Sequence, residues 1–344
     1  MDKLSDYVCS APFTYLEIHK NSTHSCCPTW LPNDLGKDIN VVWGGEELNK
    51  IQTSVLDGSY RYCSKTSCPY LSGFISTGRA PSSFIKKDNF NLKDYTNGPK
   101  ILNFAFDRSC NLSCPTCRTS MIMANGTEID FIESKLNEVI TNFGDSVEMI
   151  YLSGTSDPFA SKTFRNFLIN LDITKFPKLS NIHLHTNGLL LNNEMWDKLK
   201  HIHHLINTIE ISIDSSTKET YEIIRRGGNW ETLIENLHFI ATIPMKNKNV
   251  SFVVQDSNYK QMWDFYVLMM KIFNNNISVF FNKIDNWGTY PEGEYRLKKI
   301  WSEDHPEFND FLKELIKIDK KYRCTHNMYD IIDLYLPKQI NNLL

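Results

Sequence analysis

The stretch FDRSCNLSCPTCR sets Cys110, Cys114 and Cys117 in a C-x3-C-x2-C pattern, directly after the strand-like run ILNFAF. Three thiolates on one short loop can hold three corners of a 4Fe–4S cube. The fourth iron is then left without a protein ligand and can take one from a small molecule. Structural zinc sites favour four closed ligands, commonly from C-x2-C pairs. Ferredoxin runs supply a full set of cysteines. The uneven three-cysteine loop fits neither pattern well.

The chain around this loop alternates strand and helix signals. Six β-rich apolar runs follow one another: ILNFAF (Leu102), EMIYLS (Ile150), NIHLHT (Leu184), TIEISI (Ile211), VSFVVQ (Val253) and ISVFFNKI (Phe280). Amphipathic segments separate them. In TEIDFIESKLNEVITNF, residues Ile132, Leu136, Val139, Ile140 and Phe143 fall on one helical face. Strands alternating with helices imply parallel βα units, so the expected fold is α/β, a partial (β/α)6 TIM-type barrel over residues 99–289. Ligands of such folds sit at the C-terminal ends of the strands. Residues 1–98 read differently, as a small cysteine-rich, turn-rich domain with one helix in GGEELNKIQTSVLDG and a polar linker, KKDNFNLKDYTNGP. Residues 290–344 read as a C-terminal helical extension containing PEFNDFLKELIKIDKKY.

The chain has 344 residues, 41% of them hydrophobic and 22% charged, enough for a packed core; its net charge of -3 gives no basic footprint for nucleic acid. No apolar run reaches the roughly 18 residues that span a bilayer, and MDKLSDYVCSAPF lacks a signal peptide's apolar stretch. A cytoplasmic protein with no membrane and no nucleic-acid partner is expected. Nine cysteines in that setting argue for metal rather than disulfides.

Four further segments, in order after the cysteine loop, make residues 100–285 resemble the radical S-adenosylmethionine (radical SAM) superfamily. LSGTSDPF resembles the glycine-rich turn that binds the methionyl amine, with Gly154, Thr155, Ser156 and Asp157 in those places and Asp157 offering a carboxylate. In HLHTNGLLL, Thr186 and Asn187 are implied to meet the ribose hydroxyls. ISIDSSTKETYEIIRRGGNW is similar to a segment of superfamily members with SPASM domains. There Ser212 and Asp214 lie at the strand end, and Arg225 is implied to pair with the SAM carboxylate. FVVQDSNY offers Gln255 or Asn258. The resemblance departs at Thr116, where an aromatic residue usually precedes the third cysteine. It implies an enzyme that cleaves SAM reductively to a 5′-deoxyadenosyl radical, which takes hydrogen from an unactivated carbon, with electrons from a donor such as flavodoxin or ferredoxin.

CSAPFTYLEIHKNSTHSCCPTW and YRYCSKTSCPYL resemble a SPASM- or twitch-type auxiliary module. The resemblance implies Cys9, Cys26, Cys63 and Cys68 as ligands of an auxiliary 4Fe–4S cluster, with Cys27 as the rival of Cys26 and a four-cysteine zinc ribbon as the alternative. The module usually follows the barrel; here it precedes it. Cys324 reads as a tail cysteine, and His201, His203 and His204 as surface or core histidines. Superfamily members of this type mostly modify peptides or proteins, by crosslinking, epimerisation or side-chain oxidation. A peptide or protein substrate is therefore expected first. A small sugar or aminocyclitol-like metabolite comes second, and a non-catalytic iron–sulfur carrier or zinc protein third. Asn286, Trp287 and Tyr290 in NKIDNWGTY are expected at the substrate mouth, unless Trp287 instead packs the C-terminal helix onto the barrel.

Overall fold

Burial alternates along Met149–Leu152 and Asn181–Thr186 with the period of two that pleated backbone imposes, whereas Ile101–Ala105 is buried on both faces from Leu102 on. In the computed structural model, which describes residues 3–152, 155–321, 325–328, 331–332 and 334–335, all six expected strands form. Their apolar sides are buried and their polar sides are left to other uses. The described residues divide into two compact units.

The first unit draws on Met1–Arg108, Ala124–Ser156 and Ser161–His183. It contains β1 (Tyr7–Cys9), β2 (Tyr15–His19), β3 (Thr23–His24), β4 (Phe84–Lys86), β5 (Ile101–Ala105) and β6 (Met149–Leu152). β2 runs parallel to β5, and β5 parallel to β6; β3 turns back antiparallel on β2, and β1 pairs antiparallel with β4. On one face of these parallel strands Leu16, Ile18, Leu102, Phe104, Ile150 and Leu152 are fully buried. Burying side chains of this kind stabilises by roughly 1.5–3 kcal/mol each, as an upper bound.

The expected helix forms over Glu46–Leu56 and buries Leu48, Ile51 and Val55, with Glu46 and Glu47 at its positive end. Gly126–Phe143 is the long amphipathic helix, buried at Ile132, Leu136, Val139 and Phe143, with Ile140 half-buried. A helix at Pro69–Thr77 was not expected. Its signals are Pro at the first position and Gly78 in the left-handed conformation (φ 65°), closing the last turn onto Phe74 O. The polar segment 86–99 is irregular, as a linker would be. Its rings nevertheless pack: Phe90 stacks on Tyr95 at 4.9 Å and meets Phe13 edge-on at 4.9 Å. β2 pairs with β5 across this segment, so the 98/99 boundary marks a change of chemistry within one unit.

β7 (Asn181–Thr186) begins in the first unit and ends in the second. The second unit draws on Ser109–Met123, Asp157–Ala160 and Leu184–Leu344. β8 (Ile206–Ser212), β9 (Asn247–Val254), β10 (Ser278–Lys283) and β11 (Thr325–His326) pair in parallel in that order. Helices Lys218–Ile224, Trp230–Thr242, Met262–Ile272 and Phe308–Lys321 alternate with or follow these strands. The fold is thus α/β with parallel strand pairing. Among the described residues no helix is long and apolar enough to cross a membrane.

Candidate functional site

The three-cysteine loop is built by short backbone bonds. Cys110 N donates to Ile122 O at 2.9 Å, and the amides of Cys117 and Arg118 both close onto Cys114 O at 2.9 and 3.0 Å. Arg226 straps the loop: its Nε reaches Ser113 Oγ at 3.0 Å and its Nη2 reaches Thr119 O at 2.8 Å. Nothing in the motif around Arg226 hints at this role. Burial pushes the Cys110 thiol up to about 11, with Asp157 adding to it, and burial also raises Cys114 against the opposing charge of Arg225.

Asp157 is 1% exposed. Its Oδ1 accepts from the amides of Phe159 and Ala160 at 3.0 and 3.2 Å. Its Oδ2 accepts from Thr186 Oγ1 and the Asn187 amide at 2.7 and 2.8 Å. Both carboxylate oxygens are therefore engaged by the chain, and Thr186 is drawn to Asp157. Asp157 acts as a clamp joining the LSGTSDPF turn to the end of β7. Thr155 donates to Ala105 O and Asp107 O, and the buried Ser156 hydroxyl has no partner. Gly154 lies outside the described residues, as does Cys324.

Gly188 follows at φ 82°. A Cβ there would meet Ile211 Cγ2 at 2.9 Å, so only glycine fits this turn. Asn236 holds the same turn through Nδ2 bonds to Gly188 O and Leu189 O, both 2.9 Å. Its signal was available in the sequence: a lone amide on the apolar stripe of Leu233, Leu237 and Ile240.

Ser212 Oγ meets His185 Nε2 at 2.7 Å and Ser251 Oγ at 3.1 Å. Asp214, at φ 66°, accepts from the Val253 amide and pairs with Arg225 Nη2, both at 2.7 Å. Asn258 knits the following turn, donating to Asp214 O and Val253 O and accepting from the Gln255 amide. Gln255 Nε2 and Arg225 Nε are buried donors with no protein partner. Such donors call for an acceptor-rich ligand. Together with three thiols on one loop, they fit a cluster with SAM beside it.

In the first unit, Cys9, Cys26, Cys63 and Cys68 line one hollow with Pro12, Trp30, Tyr60, Leu71 and Phe84. Burial pushes Cys9 up to about 12, with Cys63 and Cys68 adding to it. Burial likewise raises Cys63 to about 11 and holds Cys26 well above the ordinary thiol range, with Cys9 and Cys68 contributing at Cys26. The four thiols thus feel one another. Cys27 does not line the hollow; its Sγ pairs with Thr29 Oγ1 at 3.1 Å. A soft all-sulfur set in an apolar wall fits an iron–sulfur cluster. Among the described residues, no group of three or more His, Cys, Asp or Glu side chains is already closed around one metal ion.

The same unit carries a polar sheet face. Tyr15, Glu17 and His19 alternate along β2, and register sets Glu17 beside Asn103 and Asn103 beside Tyr151. Tyr15 OH donates to Glu17 Oε2 at 2.7 Å, His19 Nε2 lies 2.7 Å from Glu17 Oε1, and Asn103 Nδ2 donates to Tyr15 OH at 2.9 Å. The Tyr151 ring stacks on His183 at 4.6 Å. Sequence reasoning missed this face because FTYLEI lies in a segment whose cysteines carried the reading.

Asn286 turns inward and holds its own loop, donating to Tyr290 O at 2.9 Å and accepting from the amides of Gly288 and Tyr290. Trp287 is 63% exposed, so it does not seat the C-terminal helix. His203 stacks on Trp196 at 4.0 Å, while His201 and His204 are exposed.

Three thiols on one loop and the unpartnered buried donors beside them define a candidate iron–sulfur site of an enzyme. Residues 106–269 match the family model for the Radical SAM superfamily, and the chain carries a radical SAM domain, which works with a 4Fe–4S cluster, SAM and a reductant. The chain is 27% identical over 167 residues to a probable GTP 3′,8-cyclase of Methanocaldococcus jannaschii, covering 48% of this chain and 53% of that one. It is 27% identical over 147 residues to a GTP 3′,8-cyclase of Alkaliphilus metalliredigens, covering 42% and 44%. The chain thus spans about half the length of the curated relatives it matches. Among solved structures it resembles Streptococcus suis SuiB bound to precursor peptide SuiA, with a TM-score of 0.45, 14% identity, and coverage of 81% of this chain and 61% of that one. It also resembles TYW1 with a lysine-pyruvate adduct bound, at 0.41, 14%, and coverage of 68% and 79%.

Proposed function

We propose that this radical SAM enzyme takes hydrogen from a small polar organic molecule held against the face of Tyr15, Glu17, His19, Asn103 and Tyr151. That face carries the reading. The cores of closed α/β barrels are filled by branched apolar side chains, whereas here a carboxylate, an imidazole, an amide and two phenols line one side of three parallel strands. Such a set supplies both donors and acceptors to a substrate. The relatives named as GTP 3′,8-cyclases bear the name of a small polar substrate, which supports a metabolite over the peptide first expected.

When bound, the cluster and SAM supply one electron and the hydrogen-abstracting radical. The chain's own part is to hold the thiolates, to orient the substrate through Glu17 and Asn103, and to exclude water. Cys9, Cys26, Cys63 and Cys68 are assigned to an auxiliary 4Fe–4S cluster within a SPASM- or twitch-like module over 1–98, ahead of a radical SAM core over 99–289 and an extension over 290–344. Gln255 and Arg225 Nε are assigned to SAM. A cytoplasmic setting with a flavodoxin or ferredoxin donor completes the reading.

The test is turnover by anaerobically reconstituted protein with SAM and reductant, scored by 5′-deoxyadenosine and product mass. The panel contains small polar metabolites, GTP among them, and unstructured peptides. A metabolite should raise 5′-deoxyadenosine above the uncoupled level, and Glu17→Gln should remove that stimulation while basal release persists. Stimulation by peptides alone would overturn the reading.

A further inference from the structure

Each cysteine of the C-x3-C-x2-C loop has its own side-chain donor. Asn187 Nδ2 lies 3.8 Å from Cys110 Sγ, Arg225 Nη1 lies 3.9 Å from Cys114 Sγ, and Arg118 Nη2 lies 3.4 Å from Cys117 Sγ. None of the three donors is loosely placed. Asn187 is fixed at both ends of its amide: Oδ1 accepts from the Leu189 amide at 3.0 Å, and Nδ2 also donates to Asn111 Oδ1 at 2.8 Å. The orientation that aims Nδ2 at sulfur follows from that bond. The Asn187 backbone is in turn pinned by Asp157. Arg225 is held by the buried Asp214 at 2.7 Å, and Arg118 is itself buried.

We propose that Asn187, Arg118 and Arg225 form a second shell of donors, one for each sulfur, that holds the loop in its ligating form and raises the reduction potential of the cluster it binds. The inference rests on the reading that these three cysteines carry the radical SAM cluster. Its physical basis is general. The metal ligand is the thiolate, so a hydrogen-bond donor beside each sulfur, cationic at Cys114 and Cys117, favours the ligating state. Hydrogen bonds to the sulfurs and net charge nearby set the potential of iron–sulfur clusters, and two cations stabilise the more negative, reduced form. Arg225 thereby takes a role other than the SAM-carboxylate contact expected from the sequence. One terminal nitrogen faces Asp214 and the other Cys114, and Nε is the buried nitrogen left without a protein partner.

The experiment is an EPR-monitored redox titration of the anaerobically loaded holoenzyme, following the signal that responds to SAM. Arg118→Gln is the main variant, since it removes the charge and keeps a polar side chain of similar reach beside Cys117. Arg225→Gln combined with Asp214→Asn removes the second cation without stranding its partner. Arg118→Gln should shift the SAM-responsive potential to more negative values; the double variant, whose net charge is unchanged, should shift it the same way by less, through loss of the donor to Cys114, and Arg225→Lys alone should stay near wild type. Low iron loading of a variant whose circular dichroism is unchanged also supports the proposal, as loss of the holding function. Full iron with an unmoved potential overturns it, as does loss of SAM affinity alone in the Arg225 variants. Failure of the underlying reading is separate: alanine at all three cysteines would then leave the iron content unchanged.

Discussion

The two thiol sites of this protein are assembled in opposite ways. Cys110, Cys114 and Cys117 lie within one short loop, closed by backbone bonds and faced by two arginines and an amide. Cys9, Cys26, Cys63 and Cys68 are gathered from a strand end, a hairpin exit, a turn and a helix start, in a wall of aromatic and aliphatic side chains. The first site owes its shape to local sequence, and there Arg118 and Arg225 oppose the burial that raises Cys110 and Cys114. The second owes its shape to the packing of Phe13, Val55, Tyr60, Leu71, Phe74 and Phe84, and burial there holds the thiols protonated until a metal takes their protons. A local loop can be read from one segment of chain, but a gathered site can be read only once its scaffold is known.

The largest expected effect separates the sites outright. Alanine at Cys110, Cys114 and Cys117 together should abolish 5′-deoxyadenosine formation and remove about four irons per chain, leaving about four at the gathered site. Metal analysis and chromatography of the nucleoside check both halves. Loss of all iron from the triple variant would mean that the two sites are not independent, and the contrast between them would fail.

The next concerns the gathered site's membership. Cys26→Ala should cost that site its iron, whereas Cys27→Ala should leave it loaded, because only Cys26 lines the hollow. Equal losses would break the assignment. Stoichiometric zinc in place of iron would turn the auxiliary cluster into a structural zinc site.

Asp157 sharpens the comparison on the loop side. Hydrogen bonds to a charged group contribute roughly 1.5–3 kcal/mol each, and Asp157 accepts four. Allowing for relaxation and water entry, Asp157→Ala should destabilise by on the order of 3 kcal/mol, read from denaturant midpoints of the apo-protein. Unchanged stability with SAM affinity down about tenfold to a hundredfold would restore the ammonium contact expected from the sequence.

Much of the fold was legible because its signals are local. Alternating Ile182, Leu184, Ile209 and Ile211 announced strands, and the stripe of Ile132, Leu136 and Val139 announced a helix. The cysteine loop was legible for the same reason. Partners of candidate side chains were not. Asp157, Thr186 and Asn258 stand where a ligand-binding residue would, but groups of the chain itself that are distant in sequence reach them first: the Asn187 amide and the Thr186 hydroxyl at Asp157, and Asp214 O at Asn258. Arg226 stands beside Arg225 at a helix end, and nothing local shows that its guanidinium spans to Ser113 and Thr119. Nothing in FTYLEI gave away that β2 would lie beside β5, because parallel pairing leaves no mark in the sequence of either strand.

The smallest expected effect lies on the polar face of the unit that holds the gathered thiols. Burial raises the Glu17 carboxyl, but the bonds from His19 and Tyr15 outweigh it, so the net shift is downward from the ordinary 4.5. A carboxyl depressed by folding contributes stability that is fully present above its unfolded pKa and lost as pH falls through the folded one. Glu17→Gln should therefore flatten the acid limb of the apo-protein's stability curve below about pH 4.5, with a change of about 1 kcal/mol at neutral pH. Chemical denaturation at a series of pH values reads it. The loop site has no part in this titration, so the triple cysteine variant should keep the wild-type acid limb. If the limb moves with the cysteines and not with Glu17, the polar face is not the separate binding surface that the small-molecule reading requires.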